Sequence, residues 1–249
     1  MSHKEYQPFE DKKISKKSKK NVEIFWDYFT GGKGGEYDTY KNPTLYDERQ
    51  LSRYYRRDNL ARGVVDVLEE KEFVGESTRA LDIGAGTGIL SLELARRGCG
   101  LVTSLDLFSD PLIKLQEKAE SEDLGDSIFT VKADMNKQFP FKENTFDLVV
   151  SLRATRYVAN FEDWLNQIKT VLRPQGNFLL PVFGIDAIPW RRHSTQGIRQ
   201  VTSYKNLKKI IEDSGFLVDS YEHEVDHSKV GRDVPFYYSP KYILAKNIK

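Results

Sequence analysis

From Arg79 onward, short apolar runs alternate with amphipathic stretches, and this alternation restricts the fold more than any other feature of the chain. Strands are predicted at 80–84 (ALDIG), 101–106 (LVTSLD), 128–133 (IFTVKA), 146–151 (FDLVVS) and 177–183 (NFLLPVF), with helices between them. Strands that read as near-continuous apolar runs are buried on both faces. The pattern therefore predicts an α/β fold, a mainly parallel sheet with helices on either side. The clearest helix is NFEDWLNQIKTVL, where Phe161, Trp164, Leu165, Ile168, Val171 and Leu172 recur at steps of three and four. Pro174 and Gly176 of LRPQG end it in a turn before the fifth strand. A helix in YKNLKKIIEDSG and strands in FLVDSYEHEV and FYYSPKYILAKN complete the chain.

The region ahead of Arg79 has a different character. Residues 1–20 hold seven lysines against three acids, while the whole chain has a net charge of +1, so the rest is mildly acidic. With almost nothing apolar to bury, this arm is expected to be disordered. Residues 21–75 are dense in aromatics and make up a separate amino-terminal segment, in which the glycine-rich GGKGG at 31–35 reads as a flexible hinge. GGKGG lacks the spacing and the preceding strand of a phosphate loop. A helix is predicted through DNLARGVVDVLEE, with Ala61, Val64, Val65 and Leu68 on one face. Residues 76–249 form the main domain. No apolar run approaches the ~20 residues of a membrane-spanning helix, and the polar opening Met1 to Asp11 does not read as a signal peptide. A single cysteine, Cys99, allows no internal disulfide, which fits a reducing cytoplasm.

The stretch ALDIGAGTGILSLELA carries the chemistry. A strand runs into glycines at alternate positions, Gly84, Gly86 and Gly88, and then into a helix, a turn that brings backbone amides close to a ligand. A dinucleotide fingerprint needs Gly or Ala at position 89, where this chain has Ile89, so NAD fits poorly. Asp82 precedes the first glycine by two residues and suits a cationic group better than a pyrophosphate.

Asp82-Ile83-Gly84-Ala85-Gly86-Thr87-Gly88 resembles the first motif of class I S-adenosylmethionine-dependent methyltransferases. Later elements fall in that family's order. Asp106, with Leu107 after it, ends the second strand where such enzymes place the acid that binds the ribose hydroxyls, a task suited to a carboxylate. Asp134 and Met135 stand where the family flanks the adenine, and LRPQG resembles its LKPGG turn with Gln175 in place of a glycine. The resemblance covers about residues 78–184 and is nearest to the ubiquinone and menaquinone biosynthesis branch. It implies a Rossmann-like seven-stranded mixed sheet of order 3-2-1-4-5-7-6 with strand 7 antiparallel, helices on both faces, a helical amino-terminal lid, and S-adenosyl-L-methionine as cofactor. It also places Ser151 in the cofactor site, and Asp147 is expected to stabilise the fold.

In open parallel sheets the ligand lies beyond the carboxyl ends of the strands, so SLRATRY, after the fourth strand, forms a wall of the acceptor pocket. Arg153 and Arg156 either receive a carboxylate or phosphate of the acceptor or pair with an acid of the amino-terminal segment, Asp47 or Glu48. Tyr157, Trp190, Tyr46 and Tyr54 are further expected acceptor contacts, and His193 is the candidate base by residue type. His223 and His227 have no convincing third ligand, so no metal site is expected. Three functions follow: methyl transfer to a small anionic or aromatic acceptor; methylation of RNA, such as tRNA, recruited by the lysine arm; or a non-catalytic protein that uses the S-adenosylmethionine-shaped fold for binding or regulation.

Overall fold

The computed structural model describes residues 57–182, 204–222 and 241–248. The elements are α1 (Arg57–Glu70), β1 (Arg79–Ile83), α2 (Ile89–Arg96), β2 (Leu101–Asp106), α3 (Ser109–Ser121), β3 (Ile128–Lys132) and β4 (Phe146–Val150). They continue with α4 (Phe161–Val171), β5 (Leu172–Val182), α5 (Tyr204–Asp213), β6 (Phe216–Glu222) and β7 (Lys241–Asn247). The strands form one seven-stranded sheet of order β3-β2-β1-β4-β5-β7-β6. Strands β1 to β5 run parallel, and β7 inserts antiparallel between β5 and β6. The order and sense of the strands implied by the resemblance are those observed.

Successive residues of each central strand point to opposite faces, so an unbroken apolar strand feeds two cores. Ala80, Leu148 and Leu179 face the first core, with residues of α1, α2 and α3. Leu81, Val149 and Phe178 face the second, with α4 and α5. The second core is rich in aromatics, and Trp164 lies between Phe161 and Phe178 there at ring-centroid distances of 5.3 and 5.7 Å.

Helix α1 falls within the segment expected as a lid, yet Ala61, Val64, Val65, Val67 and Leu68 are buried in the first core. Burying each of the valines and the leucine stabilises by roughly 1.5–3 kcal/mol, and Arg97, the C-cap of α2, pins the helix by pairing with Asp66 and Glu69. The helix is thus a structural layer of the domain.

The LRPQG turn is absorbed into β5. Phe146 pairs with Leu172 and Leu148 with Asn177, so the residues between them bulge out of register. Gln175, at φ 64°, takes the left-handed conformation that a glycine would adopt more readily at that position. Asp147 braces the same edge: it accepts from Arg79 N at 2.8 Å and pairs with Arg173 at 2.6 Å, the structural role expected of it. Among the described residues, no helix is long and apolar enough to cross a membrane. Buried Cys99 has its thiol pushed up to about 11, first by burial, which removes it from nucleophilic chemistry.

Candidate active site

The chain leaves β1 towards β2 and β3 on one side, and β4 and β5 extend the sheet on the other. The carboxyl ends of β1 and β4 therefore flank the crevice where strand order reverses. The glycine loop sits there. Gly84 N and Ala85 N both donate to Leu105 O, at 2.8 and 3.0 Å, and Gly88 N donates to Ala85 O at 3.0 Å. Gly84, Gly86 and Gly88 have φ of 78°, 57° and 82°. Side chains are excluded at two of these positions by the protein itself. A Cβ at 84 would lie 2.2 Å from Ala154 Cβ, and one at 88 would lie 2.0 Å from Leu115 Cδ1.

Asp106 closes the loop from β2. Its Oδ2 accepts from Gly86 N at 2.9 Å and its Oδ1 from Phe108 N at 3.0 Å, and the residue is 3% exposed. Each carboxylate oxygen has a second lone pair, so a carboxylate oriented by two amides can still accept from a pair of hydroxyls. Asp82, one residue from the end of β1, is wholly buried and accepts from Ser91 Oγ at 2.7 Å. Ser91 in turn accepts from Ser104 Oγ at 2.8 Å. Burial first, and then the charge of Asp106, push the Asp82 carboxyl up to about 7, against the pull of the Ser91 hydrogen bond.

That shift fixes a sign. Below the ordinary carboxylate value of 3.8 the folded and unfolded chains both hold the proton, and Asp82 contributes nothing. As pH rises towards about 7 the unfolded chain releases it first, so a penalty grows and is fully present above about 7. Asp82→Asn, whose amide oxygen still accepts from Ser91, is therefore expected to stabilise the ligand-free protein by at most about 4 kcal/mol at slightly alkaline pH and much less near pH 5. Thermal midpoints across pH read this, and an equal gain at both ends of the range would contradict it.

The other expected cofactor residues divide. Asp134 and Met135 follow β3, where Asp134 Oδ1 accepts from Asn136 N at 2.9 Å and Met135 packs on the second core. Leu107 is half-buried directly after Asp106, Ala85 is half-buried, and Thr87 is buried within the loop. Ser151 is different: its hydroxyl donates to Ile83 O at 2.9 Å and ties the end of β4 to that of β1. After β4, Arg153 takes a left-handed φ of 65° with its Nε shut off from solvent, and Ala154 packs against Gly84. Arg156 and Tyr157 belong to the 3-10 turn Thr155–Tyr157. Tyr46, Tyr54, Trp190, His193, His223 and His227 lie outside the described residues, as do Asp47, Glu48 and residues 1–20.

Three residues of this end escaped the sequence reading: Ser91, Ser104 and Asn136. The LS of GILSLELA and the S of TSLD gave no sign that Ser91 of α2 and Ser104 of β2 meet between helix and sheet. Asn136 sits in a polar run, MNKQ, that reads as an ordinary turn.

The donor set fits S-adenosylmethionine. Two buried carboxylates at neighbouring strand ends suit a cation and a ribose diol, and the glycine loop between them carries no side chain at Gly84, Gly86 or Gly88. Comparison with known proteins agrees, because residues 81–180 match the methyltransferase domain family. Residues 81–180 carry a methyltransferase domain, and the fold is that of class I S-adenosylmethionine-dependent methyltransferases. The cofactor of such domains is S-adenosyl-L-methionine. One relative, arginine-hydroxylase NDUFAF5 of Mus musculus, is 36% identical over 164 residues, covering 59% of this chain and 46% of that protein. Another, the ubiquinone/menaquinone biosynthesis C-methyltransferase UbiE of a Ruegeria species, is 35% identical over 106 residues, or 42% of each chain. The chain spans about half the length, or less, of these curated relatives. Among solved structures, a SAM-dependent methyltransferase from Aquifex aeolicus superposes with TM-score 0.57 at 19% identity, over 73% of this chain and 87% of that one.

Proposed function

We propose that the protein transfers a methyl group from S-adenosylmethionine to a small-molecule acceptor that carries an anionic or aromatic group. The observation behind this reading is the course of residues 153–157, which leave β4 beside the glycine loop with Ala154 on Gly84. Bound S-adenosylmethionine supplies an electrophilic methyl whose bonding pair returns to sulfur. The glycine loop and Asp106 orient the nucleoside end, and Asp82 faces the cationic end once it has released its proton. Arg153 and Arg156 receive the anionic part of the acceptor, and Tyr157, Trp190, Tyr46 and Tyr54 pack on its apolar part. Positioning supplies most of the rate, because the methyl is already activated and the acceptor needs only alignment at near-attack distance. His193 serves as base where the acceptor atom carries a proton. The UbiE relative, by its name a C-methyltransferase acting in quinone biosynthesis, is in keeping with a small acceptor.

A second reading comes from the name of the mouse relative, an arginine hydroxylase. One experiment separates the two. The protein is incubated with a cell extract and S-adenosylmethionine labelled in its methyl group, and the label is located by mass. A labelled small molecule is expected. Label on RNA that disappears when residues 1–20 are removed, or with added salt, points instead to the lysine arm. Absence of any transferred label removes the methyltransferase reading, and a dioxygen-dependent mass gain of one oxygen atom, sought in the same spectra, supports the hydroxylase reading instead.

A further inference from the structure

Asn136 uses both ends of its side chain on one neighbouring segment. Its Oδ1 accepts from Ala159 N at 2.6 Å and its Nδ2 donates to Tyr157 O at 3.0 Å. An N–H and a carbonyl oppose the two ends, so the pairing itself fixes which end is oxygen. The backbone N of Asn136 donates to Asp134 Oδ1, which binds the side chain to the turn that carries Asp134 and Met135. The segment it grips is held at its other end as well. Ala154 fills the space that a side chain at Gly84 would take, and Val158, 0% exposed and between the two residues that Asn136 bonds, anchors the gripped end in the second core. Residues 153–159 thus span from the glycine loop to the turn after β3, the two walls expected around the nucleoside.

We propose that Asn136 is a positioning residue that latches the acceptor-side segment 153–159 to the cofactor-side turn 134–137, so that filling the cofactor site orders the acceptor wall. The inference rests on the methyltransferase reading for the identity of the ligand, though the latch itself does not. A side-chain amide bridging two backbone groups two residues apart behaves as a piece of sheet pairing, and its loss frees both ends together. Without it, Arg153 and Tyr157 keep their place in the chain but lose a fixed relation to Asp134.

Amide hydrogen exchange, with S-adenosylhomocysteine as the probe, tests this on the full chain. In the ligand-free protein, Asn136→Ala is expected to speed exchange at Ala159 by about tenfold or more. Asn136→Asp keeps the acceptor for Ala159 N but loses the donor to Tyr157 O, and should fall between. Gln167→Ala is the matched control, since Gln167 Oε1 accepts from Phe139 N at 2.7 Å in the adjoining stretch and touches neither ligand wall. Addition of S-adenosylhomocysteine should slow exchange across 153–159 in the parent and in Gln167→Ala, and much less in Asn136→Ala. Equal slowing in all three overturns the coupling, and unchanged ligand-free exchange at Ala159 overturns the latch. If the parent fails to bind the probe, the methyltransferase reading falls, while the ligand-free exchange still judges the latch.

Discussion

Gly84→Ala is expected to destabilise the protein by about 3–4 kcal/mol, enough to leave much of a marginally stable domain unfolded. Two effects add. An alanine at φ 78° costs about 1 kcal/mol against glycine, and its Cβ would sit 2.2 Å from Ala154 Cβ, a distance no pair of non-bonded carbons tolerates. Relief requires residues 153–159 to move, and that segment is tied down at Val158 and by Asn136. The double variant Gly84→Ala with Ala154→Gly removes the collision and keeps only the backbone strain. Its stability, measured by urea denaturation, is expected to recover to within about 1–2 kcal/mol of the parent. No recovery would mean that the loop resists alanine for a reason other than the contact with Ala154.

Asp106→Ala is expected to weaken S-adenosylhomocysteine binding by at least about 100-fold, because hydrogen bonds to a charged group contribute roughly 1.5–3 kcal/mol each and two ribose hydroxyls lose their acceptor. The variant also leaves Gly86 N and Phe108 N without the oxygens they bond at 2.9 and 3.0 Å, so the loop loses its brace from β2. Asp106→Asn keeps the shape and one acceptor, and should retain more of the fold than of the affinity. The readout is the thermal midpoint with and without ligand: the ligand-induced rise should vanish in Asp106→Ala and shrink in Asp106→Asn. A rise equal to the parent's in both would remove Asp106 from the site.

Much of this arrangement is written locally in the chain. Strands β1, β2 and β4 announce themselves as apolar runs because both of their faces are buried, whereas β3 leaves Phe129 and Lys132 exposed, and the acid and glycines around the end of β1 mark its carboxyl end. Helix α4 was legible because its apolar face is continuous from Phe161 to Val171. The antiparallel insertion of β7 came from family resemblance alone, since no residue between Lys241 and Asn247 encodes which neighbours it will take. LRPQG read as a turn because Pro174 and Gly176 break helices, yet the same residues also serve as a bulge inside a strand. α1 was expected in a lid, and its buried face gave no indication of which surface it would cover. At the site, the acids on strand ends were visible in sequence. Asn136 was not, because its partners Tyr157 and Ala159 lie more than twenty positions away and act through their backbone.

The central claim is that the carboxyl ends of β1 and β2, with the loop Gly84–Gly88 between them, hold S-adenosylmethionine. Calorimetric titration of the full chain with S-adenosylmethionine and S-adenosylhomocysteine tests it directly. Binding at one site is expected for both. Because Asp82 must give up its proton to face a cation, binding of S-adenosylmethionine below about pH 7 should release a proton, seen as heat that changes with the buffer's ionisation enthalpy. Absence of binding by either ligand at about millimolar concentration, a free energy weaker than roughly −4 kcal/mol, would contradict the account.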